Sequence, residues 1–142
     1  MARSMDGLMS ARALEPPCGY RPLAWLGLAV NVLVIPLGLA LILLDPLWRT
    51  AHIAVGAGGV LPCATLGIIA SVALLRWRHW GQVLAIIALS MSLAIALPYG
   101  IVRLVLLPEQ RALIAVLASL LWATNLLVLL FWCRPAVRRY LC

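Results

Sequence analysis

Four long apolar runs divide the chain, and polar residues collect between them. The runs cover residues 23–44, 53–75, 81–102 and 112–133, and none of them contains a charged side chain. A helix needs about 20 apolar residues to cross about 30 Å of hydrocarbon, because each residue advances the helix by about 1.5 Å. All fifteen Arg, Asp and Glu residues lie outside the runs. The pattern therefore predicts an all-α membrane protein with four transmembrane helices.

The segments that connect the runs are short and comprise residues 45–52, 76–80 and 103–111. Connections of this length place successive helices side by side in opposite directions, so we expect a four-helix antiparallel transmembrane bundle over residues 23–133. Residues 1–22 have no apolar period and are predicted to form a flexible cytoplasmic tail, and residues 134–142 a short basic one. The first run is longer than the ~7–15 apolar residues of a signal peptide, so we expect it to be retained.

Composition and charge define the expected surroundings and orientation. Hydrophobic residues make up 65% of the chain and charged residues 11%, against about 25% charged in a soluble domain. Eleven Arg and four acidic residues give a net charge of +7, but the Arg form short groups and no continuous basic face, so nucleic acid is not an expected partner. Eight of the Arg lie in the two tails and the 76–80 connection. By the positive-inside rule these segments, and hence both termini, are cytoplasmic.

Small residues recur at four-residue spacing in three of the runs, which favours close helix packing where lipid supplies no hydrophobic force between helices. The clearest stripe, in the second run, consists of Gly59, Cys63, Gly67 and Ser71. Weaker stripes are Ala88, Ser92, Ala96 and Gly100 in the third run, and Ala115, Ser119 and Ala123 in the fourth. The alternative is that an Ala-rich composition produces such spacing by chance.

Two Asn residues are the most polar side chains inside the runs. Asn31 and Asn125 each lie eight residues from the cytoplasmic end of their run, which puts both about 12 Å deep. Since two carboxamides can hydrogen-bond reciprocally, we expect Asn31 and Asn125 to pair and to close the ring of four helices. A structural role for this pair is favoured over ligand binding.

One proline occurs in each of the first three runs, at Pro36, Pro62 and Pro98. Proline removes a backbone hydrogen bond and favours a kink. One hypothesis is that the kinks open a shallow vestibule away from the cytoplasm, lined by Gly56, Gly58, Gly59 and Tyr99. The simpler alternative is that proline is more frequent in membrane helices than in soluble ones.

Side chains that carry chemistry are sparse in the apolar runs. No Asp, Glu, Lys, Arg or His lies inside them, which argues against ion-coupled transport. Arg103 follows the third run directly and is expected to reach the interface or to pair with Asp45 or Glu109. His52 and His79 are predicted on opposite sides of the membrane. The four Cys have no metal-ligand spacing, so we expect no catalytic, cofactor or metal site and no enzymatic activity.

Two segments combine Arg with aromatic residues at the predicted cytoplasmic boundary and are typical of interfacial anchors. Their anchoring residues are Arg76, Trp77, Arg78 and Trp80 in the first segment, and Arg134, Arg138 and Arg139 in the second. The segments Arg76–Trp80 and Arg134–Tyr140 resemble those of small bacterial inner-membrane proteins with four spans and no assigned activity. The resemblance covers about a dozen residues, and it implies the architecture and a bacterial inner-membrane location but no function.

Together these features predict a structural or accessory membrane protein. We expect it to contact membrane lipids and to assemble with itself or with another membrane protein. The alternative is a small transporter or channel for a neutral or apolar solute, formed by oligomers around the proline-containing half.

Overall fold

The computed structural model describes residues 17–106 and 111–141, and these are helical apart from short turns. The helices are α1 (Tyr20–Leu44), α2 (Arg49–Val55), α3 (Leu61–Leu75), α4 (His79–Leu106), α5 (Arg111–Trp132) and α6 (Pro135–Leu141). A π-helical segment, Gly56–Val60, joins α2 to α3, so that these three elements form one span. Four helical stretches are long and apolar enough to cross a membrane: α1, Arg49–Leu75, α4 and α5. The prediction of an all-helical fold with four helices long and apolar enough to span a membrane is confirmed for the described residues.

The helices extend beyond the apolar runs that predicted them. Residues 20–22, assigned to the N-terminal tail, form the first turn of α1, and part of the C-terminal tail forms α6. The second span begins at Arg49 and α4 continues to Leu106, because an interfacial turn keeps its backbone hydrogen bonds whether or not its side chains are apolar. As a result His52 and Arg103, which lie outside the apolar runs, are included in the helices that contain the second and third runs.

Each span packs against the next one along the chain. The span Arg49–Leu75 lies between α1 and α4, and α5 lies on the other side of α4, whereas α1 and α5 do not pack along their lengths. The predicted hydrogen bond between Asn31 and Asn125 is absent. Each amide nitrogen donates to a carbonyl of its own helix, at 2.7 Å for Asn31 and 3.2 Å for Asn125. The described spans therefore form an open row, and the ring closure that we predicted is wrong.

The well-packed core lies at one end of the helices, measured along their axes, and we call it the Tyr20 end. Its buried cluster consists of Tyr20, Ala24, Ala70, Leu74, Ala85, Trp132 and Val137. The Tyr20 hydroxyl donates to the Leu74 carbonyl at 2.9 Å, and the Gln82 amide donates to the Trp132 carbonyl at 2.6 Å. Tyr20 and Ala24 are the only buried residues of α1, and Trp132 is the only one of α5, so all three lie at this end. The outer helices thus converge at the Tyr20 end, and elsewhere each of them packs against one neighbouring span only.

Gly81 permits the tight connection between α3 and α4. A Cβ atom at this position would lie 2.8 Å from the Ala73 Cβ and 2.9 Å from the Leu74 backbone nitrogen. Only three residues separate the two helices, so the first turn of α4 must lie directly against the last turns of α3. Glycine is therefore required here by close backbone approach.

We expect Gly81→Ala to lower the free energy of unfolding by about 1–3 kcal/mol, because the added methyl would force α4 away from α3. Thermal unfolding in neutral detergent, followed by circular dichroism, measures the change. Gly38→Ala is the matched control, since an added Cβ there has no neighbour within 4 Å, and its stability should be unchanged or slightly higher. Equal stability of the two variants would contradict the close contact.

Candidate functional site

Four polar side chains meet at the opposite end of the helices along their axes, which we call the Asp45 end. Asp45 caps the C-terminus of α1, and its backbone N–H bonds to the Leu41 carbonyl at 3.1 Å. The helix stops there because Pro46 disfavours helical geometry in the preceding residue. His52 lies on α2, while Tyr99 and Arg103 lie four residues apart on α4 and so share a helix face.

A chain of hydrogen bonds joins three of these side chains. The Tyr99 hydroxyl lies 2.9 Å from Nδ1 of His52, and Nε2 of His52 lies 3.3 Å from Oδ2 of Asp45. An imidazole with its proton on Nε2 satisfies both contacts, because it accepts from Tyr99 and donates to Asp45. His52 is only 8% exposed. The chain thus ties α1, α2 and α4 together and satisfies the polar atoms of a buried histidine.

Arg103 completes the cluster. Its Nη2 lies 3.6 Å from the same Asp45 oxygen that His52 contacts, and its guanidinium lies 5.8 Å from the Trp48 ring centre and 6.0 Å from that of Tyr99. The carboxylate and the two ring faces together offset the desolvation of the cation. The sequence offered Asp45 or Glu109 as partners for Arg103, and the pair with Asp45 forms. Glu109 lies outside the described residues.

A pocket of about 220 Å³ lies between α4 and α5 beside this cluster. Its lining consists of Ala96, Tyr99, Gly100, Arg103, Ile114, Leu117, Ala118, Leu121 and Trp122. Gly100 makes room for the indole, since a Cβ there would lie 2.9 Å from the Cζ2 atom of Trp122. Trp122, the one Trp that the sequence places in the middle of a run, therefore forms one wall of the pocket.

Two buried N–H groups of this pocket have no hydrogen-bond acceptor among the described residues. They are Nε of Arg103 and Nε1 of Trp122. A buried donor without an acceptor costs about 1–3 kcal/mol, and buried tryptophan N–H groups usually find a partner. Both N–H groups belong to residues that line the pocket, but the two nitrogen atoms are themselves enclosed by the protein.

The vestibule hypothesis named different lining residues. Of its four residues only Tyr99 lines the α4–α5 pocket. Gly59 is buried, and an added Cβ there would lie 2.8 Å from Ile95. An added Cβ at Gly58 would have no neighbour within 4 Å. Gly59 thus serves helix contact, Gly58 has open space beside it, and the vestibule stays a hypothesis.

The predicted small-residue stripe of the second span is buried along its whole length. Gly59, Cys63, Gly67 and Ser71 are all buried. Gly67 lies directly under the Asn31 carboxamide, which an added Cβ would strike, and a Cβ at Gly27 would lie 3.1 Å from the Ser71 hydroxyl. Asn31 therefore packs against the second span, and its carboxamide lies over a glycine where we expected Asn125. Asn125 is half-buried on α5.

The predicted anchors of the first segment lie at the Tyr20 end. Arg76, Trp77, Arg78 and Trp80 are all exposed. Trp77 has a φ of 57°, and the bonds Arg78 N–H to Ala73 O and Trp77 N–H to Leu74 O, both 2.9 Å, complete a Schellman motif. The Trp77 ring stacks on the Tyr20 ring with 5.1 Å between their centres. The Arg21 guanidinium lies 5.3 Å from the centre of a Trp77 ring. Trp77 therefore helps to fix the core, and its role as an interfacial anchor stays a prediction.

The predicted anchors of the C-terminal segment are Arg134, Arg138 and Arg139, and all three are exposed. The Arg134 guanidinium lies 5.5 Å from the Phe131 ring centre. Between them Val137 is fully buried, which holds α6 against the core while its Arg side chains point away. No group of three metal-ligating side chains occurs within residues 17–106 and 111–141.

The comparisons with known proteins leave the site to be interpreted from its own geometry. No protein-family model, curated protein or solved structure matches the chain. The resemblance to small bacterial four-span proteins therefore stays an expectation based on the Arg76–Trp80 and Arg134–Tyr140 segments.

We expect Tyr99→Phe to lower the free energy of unfolding by about 1 kcal/mol, because it removes the hydrogen bond to His52. The measurement is a double-mutant cycle with His52→Ala, followed by thermal unfolding in neutral detergent. A coupling of at least about 0.5 kcal/mol supports the direct contact. Additive effects would show that Tyr99 and His52 do not interact.

At Trp77 we expect a glycine replacement to be more stable than an alanine replacement. Both Trp77→Gly and Trp77→Ala lose the stacking on Tyr20, which is worth about 0.5–1.5 kcal/mol. Only glycine adopts the positive φ of this position without strain. The free energy of unfolding of Trp77→Gly should therefore be about 1 kcal/mol higher than that of Trp77→Ala. Trp80, inside the first turn of α4, is the control, because there alanine should be the more stable replacement. If the same replacement, glycine or alanine, were the more stable at both positions, the positive φ assigned to Trp77 would be contradicted.

Proposed function

We propose that this chain is a multi-pass protein of a bacterial inner membrane with a structural or accessory, non-catalytic role, and that it assembles with itself or with another membrane protein. Its four spans run antiparallel and both termini face the cytoplasm. The starting point is the four helices that are long and apolar enough to cross a membrane. Their arrangement, their orientation and the role of the protein are what we propose.

The antiparallel arrangement is supported by contacts at the Tyr20 end. There the start of α1 meets the end of α3 through Tyr20 and Leu74, and the start of α4 meets the end of α5 through Gln82 and Trp132. The orientation is supported by charge, because the Tyr20 end carries the exposed Arg of both predicted anchor segments, and such residues are most frequent on the cytoplasmic side.

The observation that carries assembly is the small-residue stripe of α5. Ser119 and Ala123 are exposed and Ala115 is half-buried. By contrast, the stripe of the second span is buried between α1 and α4, and Gly100 of the α4 stripe lies against Trp122. Small residues on a lipid-facing helix allow a second helix to approach closely. The α5 stripe is thus the small-residue face that the described chain leaves open to a partner.

The α5 side of the row also has little protein cover of its own. Its large apolar side chains remain exposed over most of the helix, including Val116, Leu120 and Leu127. Lipid covers such side chains adequately, so apolar exposure alone does not demand a partner. The small stripe among them distinguishes this face, because it replaces bulky side chains with a groove for a helix.

We expect Ser119→Leu and Ala123→Leu each to shift the protein from complexes to monomers, because a bulky side chain fills the groove. Native mass spectrometry after gentle extraction from the membrane gives the stoichiometry. Ala94→Leu is the matched control, since Ala94 is an exposed small residue of α4 outside the α4 stripe, and its complexes should be unchanged.

The outcomes separate the two kinds of partner. A homo-oligomer that the α5 variants dissociate identifies a second copy, and a stoichiometric second polypeptide that they release identifies another membrane protein. A wild-type protein extracted only as a monomer, or complexes that all three variants leave intact, would contradict assembly through α5.

A further inference from the structure

We propose that the Tyr20 end is a binding surface for anionic phospholipids, whose phosphate groups contact a cluster of arginines that we call the arginine patch. The patch consists of Arg21, Arg76, Arg78, Arg134, Arg138 and Arg139, and all six are exposed. The inference rests on the proposed function, because it takes the four spans to lie in a bilayer. It goes beyond assembly, because it names a class of lipid and does not involve the small-residue stripe of α5.

Three separate parts of the chain contribute to the arginine patch, and the core at the Tyr20 end brings them together. Arg21 directly follows Tyr20, two of the arginines flank Trp77, and the other three lie on α6 or just before it. The Tyr20 ring stacks on Trp77 and meets the edge of Trp132, with 5.1 Å and 5.5 Å between ring centres. Val137 of α6 belongs to the same buried cluster. The fold therefore assembles one basic surface from arginines that are far apart in the sequence.

The arginine patch has no side-chain carboxylate beside it among the described residues. Asp45 carries the one side-chain carboxylate within residues 17–106 and 111–141, and it lies at the opposite end, where it pairs with Arg103. Clustered charges of one sign repel one another, and an anionic partner at the patch lowers this repulsion. The patch therefore complements a surface that carries negative charge.

Aromatic rings position two of these arginines at the edge of the core. The Arg21 guanidinium lies 5.3 Å from the centre of a Trp77 ring, and the Arg134 guanidinium lies 5.5 Å from that of Phe131. A guanidinium has five N–H donors in one plane and binds phosphate oxygens in pairs. Because a ring attracts the cation through its π face, the contact positions each guanidinium without giving it an oxygen acceptor. A lipid phosphate supplies that acceptor.

The tryptophans around the arginine patch favour a lipid surface over a soluble anionic partner. Trp25, Trp77 and Trp80 are exposed near this end, and Trp is enriched at the level of the lipid headgroups. Trp25 lies four residues after Arg21 in α1, which is about one helical turn deeper into the span. The arginine patch therefore lies at the depth of the lipid phosphates, with the apolar spans directly behind it.

The test compares dioleoyl phosphatidylglycerol with dioleoyl phosphatidylcholine, which have the same acyl chains but differ in net charge. Each lipid is added to the full chain in neutral detergent, and native mass spectrometry measures the bound fraction against lipid concentration. We expect phosphatidylglycerol to bind about tenfold more tightly, and the preference to shrink at high salt, because the attraction is electrostatic. Inorganic phosphate is the third probe and should not displace phosphatidylglycerol, because it has no acyl chains to contact the spans.

Two pairs of substitutions test the arginine patch itself. Arg21→Gln combined with Arg134→Gln removes the two ring-contacting arginines, and Arg138→Gln combined with Arg139→Gln removes two exposed arginines of α6. Each pair should weaken phosphatidylglycerol binding about tenfold, because every arginine near an anionic headgroup adds to the attraction. Binding of phosphatidylcholine should change little. Circular dichroism checks that each variant is folded, and if one pair does not fold, the other still decides.

Arg49→Gln combined with Arg111→Gln is the matched control, since it removes the same charge from two exposed arginines toward the Asp45 end. This pair should leave the lipid preference unchanged. Equal binding of the two lipids, displacement by inorganic phosphate, wild-type affinity in a folded patch variant, or an equal loss in the control overturns the inference. These results leave the proposed function standing when the protein is recovered in the membrane fraction, whereas recovery in the soluble fraction overturns both.

Discussion

The contacts of Tyr20 hold together the end of the protein where all four spans meet. Its hydroxyl bonds to the carbonyl of Leu74, and its ring stacks on Trp77 and meets the edge of Trp132. One residue at the start of α1 therefore contacts the end of the second span and the end of α5. In a bilayer this matters more than in water, because lipid gives helices no hydrophobic reason to associate. Directional hydrogen bonds and close packing of rings and small residues must supply the specificity.

The position of this core leaves the Asp45 end to be organised by polar contacts. There Asp45, His52 and Tyr99 link α1, α2 and α4 through hydrogen bonds, and Arg103 joins them as an ion-pair partner. No member of this cluster comes from α5. The fourth span is thus joined to the others by Trp132 at the Tyr20 end, and farther along it Trp122 and Gly100 line a pocket between α4 and α5.

The π-helical segment and the glycines adapt the second span to two different neighbours. Gly59 in the π-helical segment faces Ile95 of α4, whereas Gly67 in α3 lies under Asn31 of α1. A helix in the middle of a row must present a smooth surface on both sides, and small residues provide it. The outermost helices have a neighbour on one side only, and on α5 the same kind of stripe remains available to another molecule.

Hydropathy along the chain was sufficient to predict the four helical spans and the helix ends at Leu44 and Leu75, because insertion into hydrocarbon depends on the local sum of side-chain transfer energies. Tertiary structure alone decided that Asn31 packs over Gly67 and not beside Asn125, that His52 is buried between Asp45 and Tyr99, and that Trp122 and Arg103 share a pocket. Interhelical hydrogen bonds in membranes average about 0.6 kcal/mol, so several pairings have nearly equal energy. The choice among them depends on the packing of whole helices, which no local pattern in the sequence records.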